Sequence, residues 1–187
     1  MFALAHGPTR PALAPTEVSP ALRRVLDAHP NPALASTLRW DVLAWNRAAS
    51  LLYGDFAARP ERFRNGVWSM FMDPARRTQL PAWEEAAVKT VARFRLDAAR
   101  AADRRDFDAI ADELAAVSPE FARLWNDYEV VEVIEDVKEI VHPMLGKIGF
   151  EKVHLGYVEP DGRELRVSLY TPLPGESEAR ARRLFTS

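Results

Sequence analysis

The sequence contains no cysteine, which excludes disulfide bonds, thiol catalysis and cysteine-ligated zinc or iron–sulfur centres. It has no apolar run near the roughly 20 residues that a membrane-spanning helix requires. It also has no basic segment followed by an apolar stretch, which a secretory signal would need. The net charge of −2 provides no general attraction to nucleic acid or to an anionic membrane. These absences favour a cytoplasmic protein without membrane attachment.

The composition of the chain is typical of one globular domain. Hydrophobic residues make up 48% of the 187-residue chain and charged residues 28%, a typical balance for a folded protein. Residues 1–20 are rich in alanine and proline, and the prolines interrupt helix formation. We therefore predict a flexible tail over residues 1–20 and a single domain over residues 21–187.

Residues 40–49 are the most informative stretch, because a strand is predicted to pass directly into a helix there. Residues 34–45 are predicted as one strand, since apolar side chains alternate along it. The alternating residues are Leu38, Trp40, Val42 and Ala44. Asn46 suits a helix N-cap because its side-chain oxygen can accept from the next turn, and Gly54 suits the helix end. An asparagine at the exit of an inner strand, next to two tryptophans, resembles the opening of a PAS-like sensor module; the alternative is that both tryptophans are ordinary core.

The middle of the chain is predicted to be helical. Asp73 and Ser118 are each followed by proline, so both suit the N-cap of a helix. Further helices are predicted over residues 21–29, 62–72 and 106–116 and after Pro81. The side chains predicted to face the core are Leu22, Val25 and Leu26 in the first helix, and Trp83, Ala87, Val91, Phe94 and Leu96 in the longest.

The C-terminal third is predicted to form a sheet. Strands are predicted over residues 130–141, 147–158 and 165–170, which are rich in β-branched or alternating apolar side chains. Most odd-numbered positions of the first strand are apolar. Pro160-Asp161-Gly162 supplies a turn, so these strands should form an antiparallel meander, and a short helix should follow residue 174. The whole order predicts an α+β fold in which several helices pack on one face of an antiparallel sheet.

A series of short motifs runs through the chain. They are Asp41-Val42-Leu43-Ala44-Trp45-Asn46-Arg47-Ala48-Ala49, Met72-Asp73-Pro74-Ala75-Arg76, Trp83-Glu84, Ser118-Pro119-Glu120-Phe121 with Leu124-Trp125, His142-Pro143 with Gly146, and Leu169-Tyr170-Thr171-Pro172 before Pro174-Gly175. Their combination and order resemble the ligand-binding C-terminal domain of MmyB-like transcription regulators. The resemblance covers residue 34 to the C-terminus.

The resemblance implies a PAS-like domain that encloses an apolar cavity, which in this family is linked to a fatty-acid-type ligand. It therefore implies a ligand-sensing regulatory module with an apolar small molecule, such as a long-chain fatty acid, as its bound ligand. No other cofactor is implied, and a homodimer is the expected assembly. Such regulators normally carry a helix-turn-helix domain ahead of the sensor. We expect no room for one before the first strand here, and hence no specific DNA binding by this chain alone.

Candidate ligand contacts fall into two groups. The apolar walls of a pocket are predicted from large aromatic and thioether side chains. They are Trp45, Trp68, Phe71, Met72, Trp83, Phe94, Phe121 and Trp125. A carboxylate head group would need a cation or hydroxyl, because a buried unpaired charge is costly. The candidates are Arg47, His142, Tyr157 and Tyr170. The alternative is that the aromatic residues are ordinary core, Arg47 a surface residue and His142 a locally bonded turn residue.

An enzyme is not expected. The four histidines lack metal-ligand spacing, and neither a Gly-x-Ser-x-Gly elbow nor a glycine-rich phosphate loop is present.

The segment before His142 is often basic in the family but acidic here, at Glu129, Glu132, Glu135, Asp136 and Glu139. If residues 132–142 formed a helix, Glu132, Glu135, Asp136, Glu139 and His142 would share a face as a metal site. The Val and Ile content favours a strand, which splits these residues between two faces. A structural dimerisation domain without ligand, and a small enzyme acting on an apolar substrate, stay open beside the sensor.

Overall fold

The computed structural model describes residues 17–127 and 137–186. Its helices are α1 (Pro20–Ala28), α2 (Arg47–Tyr53), α3 (Gly66–Met72), α4 (Pro74–Gln79), α5 (Trp83–Arg100), α6 (Arg105–Val117), α7 (Pro119–Asn126) and α8 (Glu176–Phe185), with a 3-10 turn at Glu61–Arg64. Its strands are β1 (Ala33–Thr37), β2 (Val42–Trp45), β3 (Val137–His142), β4 (Gly146–Val158) and β5 (Glu164–Pro172). The predicted α+β class is confirmed.

The five strands form one antiparallel sheet in the order β2-β1-β5-β4-β3. The predicted meander is confirmed as β3, β4 and β5, with the turn at Pro160-Asp161-Gly162 between the last two. The N-terminal hairpin β1–β2 completes the sheet by pairing with β5. The first part of the strand predicted over residues 130–141 lies outside the described residues, as does the tail before residue 17.

The single strand predicted over residues 34–45 is wrong, because the chain turns back between Thr37 and Asp41. Trp40 adopts a positive φ of 76° and its amide donates to the carbonyl of Thr37 at 3.0 Å. The Thr37 hydroxyl donates to the Asp41 carboxylate at 3.1 Å, so polar side chains close the turn where apolar alternation predicted extension. As a result, Asn46 leaves an edge strand, not an inner one.

Several predicted buried faces are also corrected. Val25 is 61% exposed and Leu96 37% exposed, because α1 and α5 pack through narrower stripes than the sequence indicated. In β3 the buried residue is the even-numbered Ile140, whereas Val137 is 56% exposed. The helix predicted over residues 62–72 is divided at Asn65, whose side chain caps α3 by accepting from the next two amides.

Successive side chains of each strand point to opposite faces of the sheet, an inner and an outer one. The inner face carries Ile140, Ile148 and Phe150, which pack against α2 and α8. Farther along the same face, α3, α4 and α5 cover the sheet, and α6 and α7 extend their helical core outward. The outer face is covered at β1 and β5 by α1. The prediction that several helices gather on one face is therefore confirmed, with α1 as the exception.

The Asn46 side chain links α1, β1 and α2 through hydrogen bonds to their backbone. Its side-chain oxygen accepts from the amides of Ala49 at 2.9 Å, as the predicted N-cap, and of Ala33 at 3.1 Å. Its amide nitrogen donates at 2.8–3.1 Å to three carbonyls, one in the last turn of α1 and two in the connection from α1 to β1. The side chain is 3% exposed, so it satisfies five backbone groups in a place that water does not reach. The predicted caps at Asp73 and Ser118 are confirmed as well.

Replacing Asn46 with alanine should lower the free energy of unfolding by about 3 kcal/mol, because a helix cap is lost and buried backbone groups lose their partners. Urea denaturation measures the change. Asn126→Ala, at the exposed end of α7, is the matched control and should change stability by less than about 0.5 kcal/mol. Equal losses in the two variants would contradict this role of Asn46.

Candidate ligand-binding cavity

A cavity of about 330 Å³ lies between the inner face of the sheet and helices α3, α4 and α5. One part of its wall is apolar and is formed by Leu34, Val42, Phe56, Phe63, Met70 and Leu80. Pockets that hold small molecules are typically apolar with a few placed polar groups, and this volume lies at the small end of their range. The cavity is therefore large enough for a small molecule.

Cationic side chains also line the cavity. They are Arg64, Arg76, Lys89, Arg93, Lys138, Lys152 and Arg166. Two carboxylates, Glu85 and Glu139, also line the cavity, and Glu139 is paired at 2.9 Å with the outward-facing Lys147. The wall thus holds more positive than negative charge, which suits an anionic group.

Two buried nitrogens of this wall lack hydrogen-bond acceptors. Nε of Arg64 and Nε of Arg93 are buried without a partner within the described part of the chain. The Arg93 Nε lies 3.7 Å from the nearest Asp97 oxygen, which is beyond hydrogen-bond distance. Buried donors without acceptors are rare in folded proteins, and a bound ligand is one way to satisfy them.

Two buried tyrosines line the cavity next to its cations. The rings of Tyr53 and Tyr170 are 5.9 Å apart between centroids, and the guanidinium of Arg76 lies 4.7 Å from the Tyr53 ring. Burial, together with Tyr170, raises the pKa of Tyr53 well above its usual value. Burial alone would raise the pKa of Tyr170 as well, but Lys152 and Lys138 outweigh it and hold that pKa below its usual value.

His154 lies on the same wall, beside Ser168 of the neighbouring strand, with Nδ1 2.9 Å from the Ser168 hydroxyl. Burial is the main cause that lowers the pKa of His154 to about 3, and the nearby Lys152 and Arg166 lower it further. The imidazole is therefore neutral at physiological pH. Its low pKa therefore reflects mainly its removal from water, with a smaller effect of the neighbouring cations.

Asp97 of α5 joins the helix layer to the sheet at this cavity. One of its oxygens accepts from Arg166 of β5 and from the Trp40 indole nitrogen, both at 2.8 Å. Arg93 approaches the other oxygen at 3.7 Å. Since the Asp97 side chain is 7% exposed, this contact holds α5, the β1–β2 turn and β5 together in a poorly hydrated place.

Substituting Asp97 by alanine should lower the free energy of unfolding by about 3 kcal/mol, because the buried Arg166 loses its counter-ion. Chemical denaturation gives the value. Asp108→Ala removes the exposed pair with Arg104 and should cost less than about 1 kcal/mol. If Asp97→Ala were no more destabilising than this control, Asp97 would not be the link between helix and sheet.

His154 predicts a pH dependence of stability. In the unfolded chain its imidazole binds a proton near pH 6.5, but in the folded protein only near pH 3. Acidification from about pH 7 to about pH 5 therefore favours the unfolded state. The free energy of unfolding of His154→Asn, measured by urea titration at several pH values, should fall less over this range than that of the parent. Identical slopes would show that His154 is not shielded from protonation.

Of the residues predicted from the sequence to contact a ligand, Tyr170 lines this cavity. Trp68, Phe71, Phe94, Phe121 and Trp125, with the half-buried Met72, belong to the core formed by α3, α5, α6 and α7. Trp83 lines a second groove of about 430 Å³ between α5 and α7. These placements favour the alternative reading of the aromatic residues as core, and their contact with a ligand stays an untested prediction.

The remaining predicted residues lie elsewhere. Trp45 packs against Phe56, with ring centroids 5.2 Å apart. Arg47 is exposed in the first turn of α2, and Tyr157 lies beside Ser19 on the outer side of the sheet. His142 ends β3, where Nδ1 accepts from the amide of Met144 at 3.3 Å, as expected of a turn residue. None of these four side chains lines the cavity, although all four are described.

The sequence analysis missed the cations of the wall. In β4, Lys152 and His154 lie on the same face as the buried Ile148 and Phe150. Polar residues at strand positions that face the core could therefore have indicated the site. Arg93 and Asp97 were missed because pairs four residues apart on a helix are usually exposed. The tertiary approach of Arg166 to Asp97 has no local signature.

The acidic cluster considered as a metal site is described only at its end. Glu129, Glu132, Glu135 and Asp136 lie outside the described residues, while Glu139 and His142 occur in a strand, on alternate faces. Over residues 17–127 and 137–186, no three His, Asp or Glu side chains are grouped as metal ligands would be. In those same ranges no helix is long and apolar enough to cross a membrane.

Comparison with known protein families identifies the domain. A family model described as the MmyB-like transcription regulator ligand binding domain matches residues 18–184. No curated protein matches the chain. The match begins just before α1 and ends within α8, so it includes every element that forms the cavity.

Proposed function

We propose a ligand and a mode of action for this chain, which belongs to the family of MmyB-like transcription regulator ligand-binding domains. Membership makes the chain a ligand-sensing regulatory module. Our proposal is that a fatty acid or a similar amphiphile binds in the cavity between the sheet and α5. The observation that carries it is one cavity wall that combines apolar side chains with an excess of cations.

The apolar side chains of the wall suit the hydrocarbon chain of such a ligand, and the cations suit its anionic head. The hydrocarbon chain would lie against Leu34, Met70 and Leu80, where it gains the free energy of leaving water. The anionic head would lie near Arg93 and Lys152, where it would provide the acceptor that the buried Arg93 Nε lacks. An uncharged hydrocarbon would leave the buried Arg93 Nε without an acceptor, which costs free energy in a poorly hydrated place.

The head group would also compete with Asp97. Arg93 and Arg166 both approach this carboxylate, and the same carboxylate binds the Trp40 indole in the β1–β2 turn. An anion that draws Arg93 away would change how α5 is held on the sheet. We propose that the ligand acts by shifting the population between two such arrangements, which a partner or a second copy then detects.

Native mass spectrometry and calorimetric titration with dodecanoate test the proposal. We expect one dodecanoate per chain, and Leu34→Trp should weaken binding at least about tenfold because the indole fills the apolar part of the cavity. Leu155→Trp makes the same change on the exposed outer face and should bind as the parent does. Absence of binding to the parent, or equal binding by both variants, would contradict the proposal.

A homodimer is our second proposal. Three apolar side chains, Val137, Val153 and Leu155, are 48–56% exposed on the outer face, beside the part that α1 covers. Apolar residues grouped on an exposed sheet face are common at protein interfaces. The same native mass spectra report the assembly, and a protein that stays monomeric at micromolar concentration would contradict the dimer.

A further inference from the structure

The centre of the cationic wall is a small flat array on two paired strands. Lys152 pairs with Tyr170 and His154 pairs with Ser168, and all four side chains line the cavity. Directly paired residues have Cβ atoms roughly 5 Å apart, and neighbours along a strand that share a face lie roughly 7 Å apart. The array therefore spans an area comparable to one tetrahedral oxyanion.

Within residues 17–127 and 137–186, carboxylates do not balance the charges around this array. Lys152 has no carboxylate within 4 Å among the residues that the structure describes. Arg93 and Arg166 share the single carboxylate of Asp97. Arg76 donates to Ser69 at 2.9 Å and to Gln79 at 3.1 Å, which are neutral partners.

The carboxylate of Asp73 lies near Arg76 but is paired at 3.0 Å with Arg59. It therefore leaves the excess of positive charge in place. The wall thus retains positive charge after every described ion pair is formed, so a single carboxylate head group would neutralise only part of it. Neutral donors are also present, because the hydroxyls of Ser168 and Tyr170 flank Lys152 and His154.

We propose that the head group of the ligand is a phosphate monoester, doubly charged and held by Lys152 and Arg93 with the hydroxyls of Ser168 and Tyr170. This inference rests on the proposed function, since it concerns the head group of an amphiphile in the same cavity. A phosphate monoester carries close to two negative charges at neutral pH and has three acceptor oxygens, which matches both the excess charge and the number of donors. Beside the larger effect of burial, Lys152 and Arg166 lower the pKa of His154, which agrees with positive charge at this wall.

Calorimetric titration of the full chain with matched probes tests this inference. The probes are dodecyl phosphate, dodecanoate, dodecan-1-ol and inorganic phosphate. We expect dodecyl phosphate to bind about tenfold more tightly than dodecanoate, and dodecan-1-ol and inorganic phosphate to bind more weakly than either. Lys152→Met should remove most of the preference for phosphate over carboxylate, because Met keeps the length of the side chain without its charge. Thermal melting confirms that each variant is folded.

Arg182→Met is the control, since it also removes one positive charge, but Arg182 lies on the exposed surface of α8, is paired with Glu178 and does not line the cavity. It should keep the full preference for phosphate. Equal or tighter binding of dodecanoate by the parent would overturn the phosphate head group and leave the proposed function standing. Binding of inorganic phosphate as tight as that of dodecyl phosphate would support the head-group site but contradict the amphiphile. Absence of binding by all four probes would overturn both.

Discussion

The contact on which the cavity depends is the buried carboxylate of Asp97 on α5. It accepts from a strand residue, Arg166, and from the indole of Trp40 in a tight turn, so one side chain joins three parts of the chain. A carboxylate removed from water must be paired to be tolerated, and each partner is held in place by the same requirement. This mutual dependence keeps the helix layer at a fixed distance from the sheet, and the cavity is the space that remains between them.

The fold follows from residues that act locally, whereas the site does not. Capping by Asn46, Asp73 and Ser118 could be predicted because an N-cap needs only a suitable side chain before a helical pattern. The β1–β2 turn was missed because its stability comes from Thr37 and Asp41 bonding across the turn, within a run that alternates like a strand. Which aromatic residues belong to the core could not be predicted, since size and polarity alone do not distinguish a residue that packs from one that lines a space.

The cationic wall shows why a site can be hidden in a nearly neutral sequence. Lys152, Arg93 and Arg166 are far apart in the chain, and each looks like an ordinary surface residue of a strand or helix. Antiparallel pairing of β4 with β5 and the packing of α5 across them bring the three charges to one surface. Net charge is a property of the whole chain, while binding depends on the local excess that folding creates. A regulatory domain that recognises an anionic amphiphile needs only such a local excess beside an apolar space.

The most direct test of the central claim is a crystal structure of the protein with a bound dodecyl amphiphile. We expect electron density for the hydrocarbon chain between Leu34 and Met70, with the head group within hydrogen-bond distance of Arg93 or Lys152. Density in the groove between α5 and α7, beside Trp83, would contradict it and would place ligand sensing on the other side of the long helix.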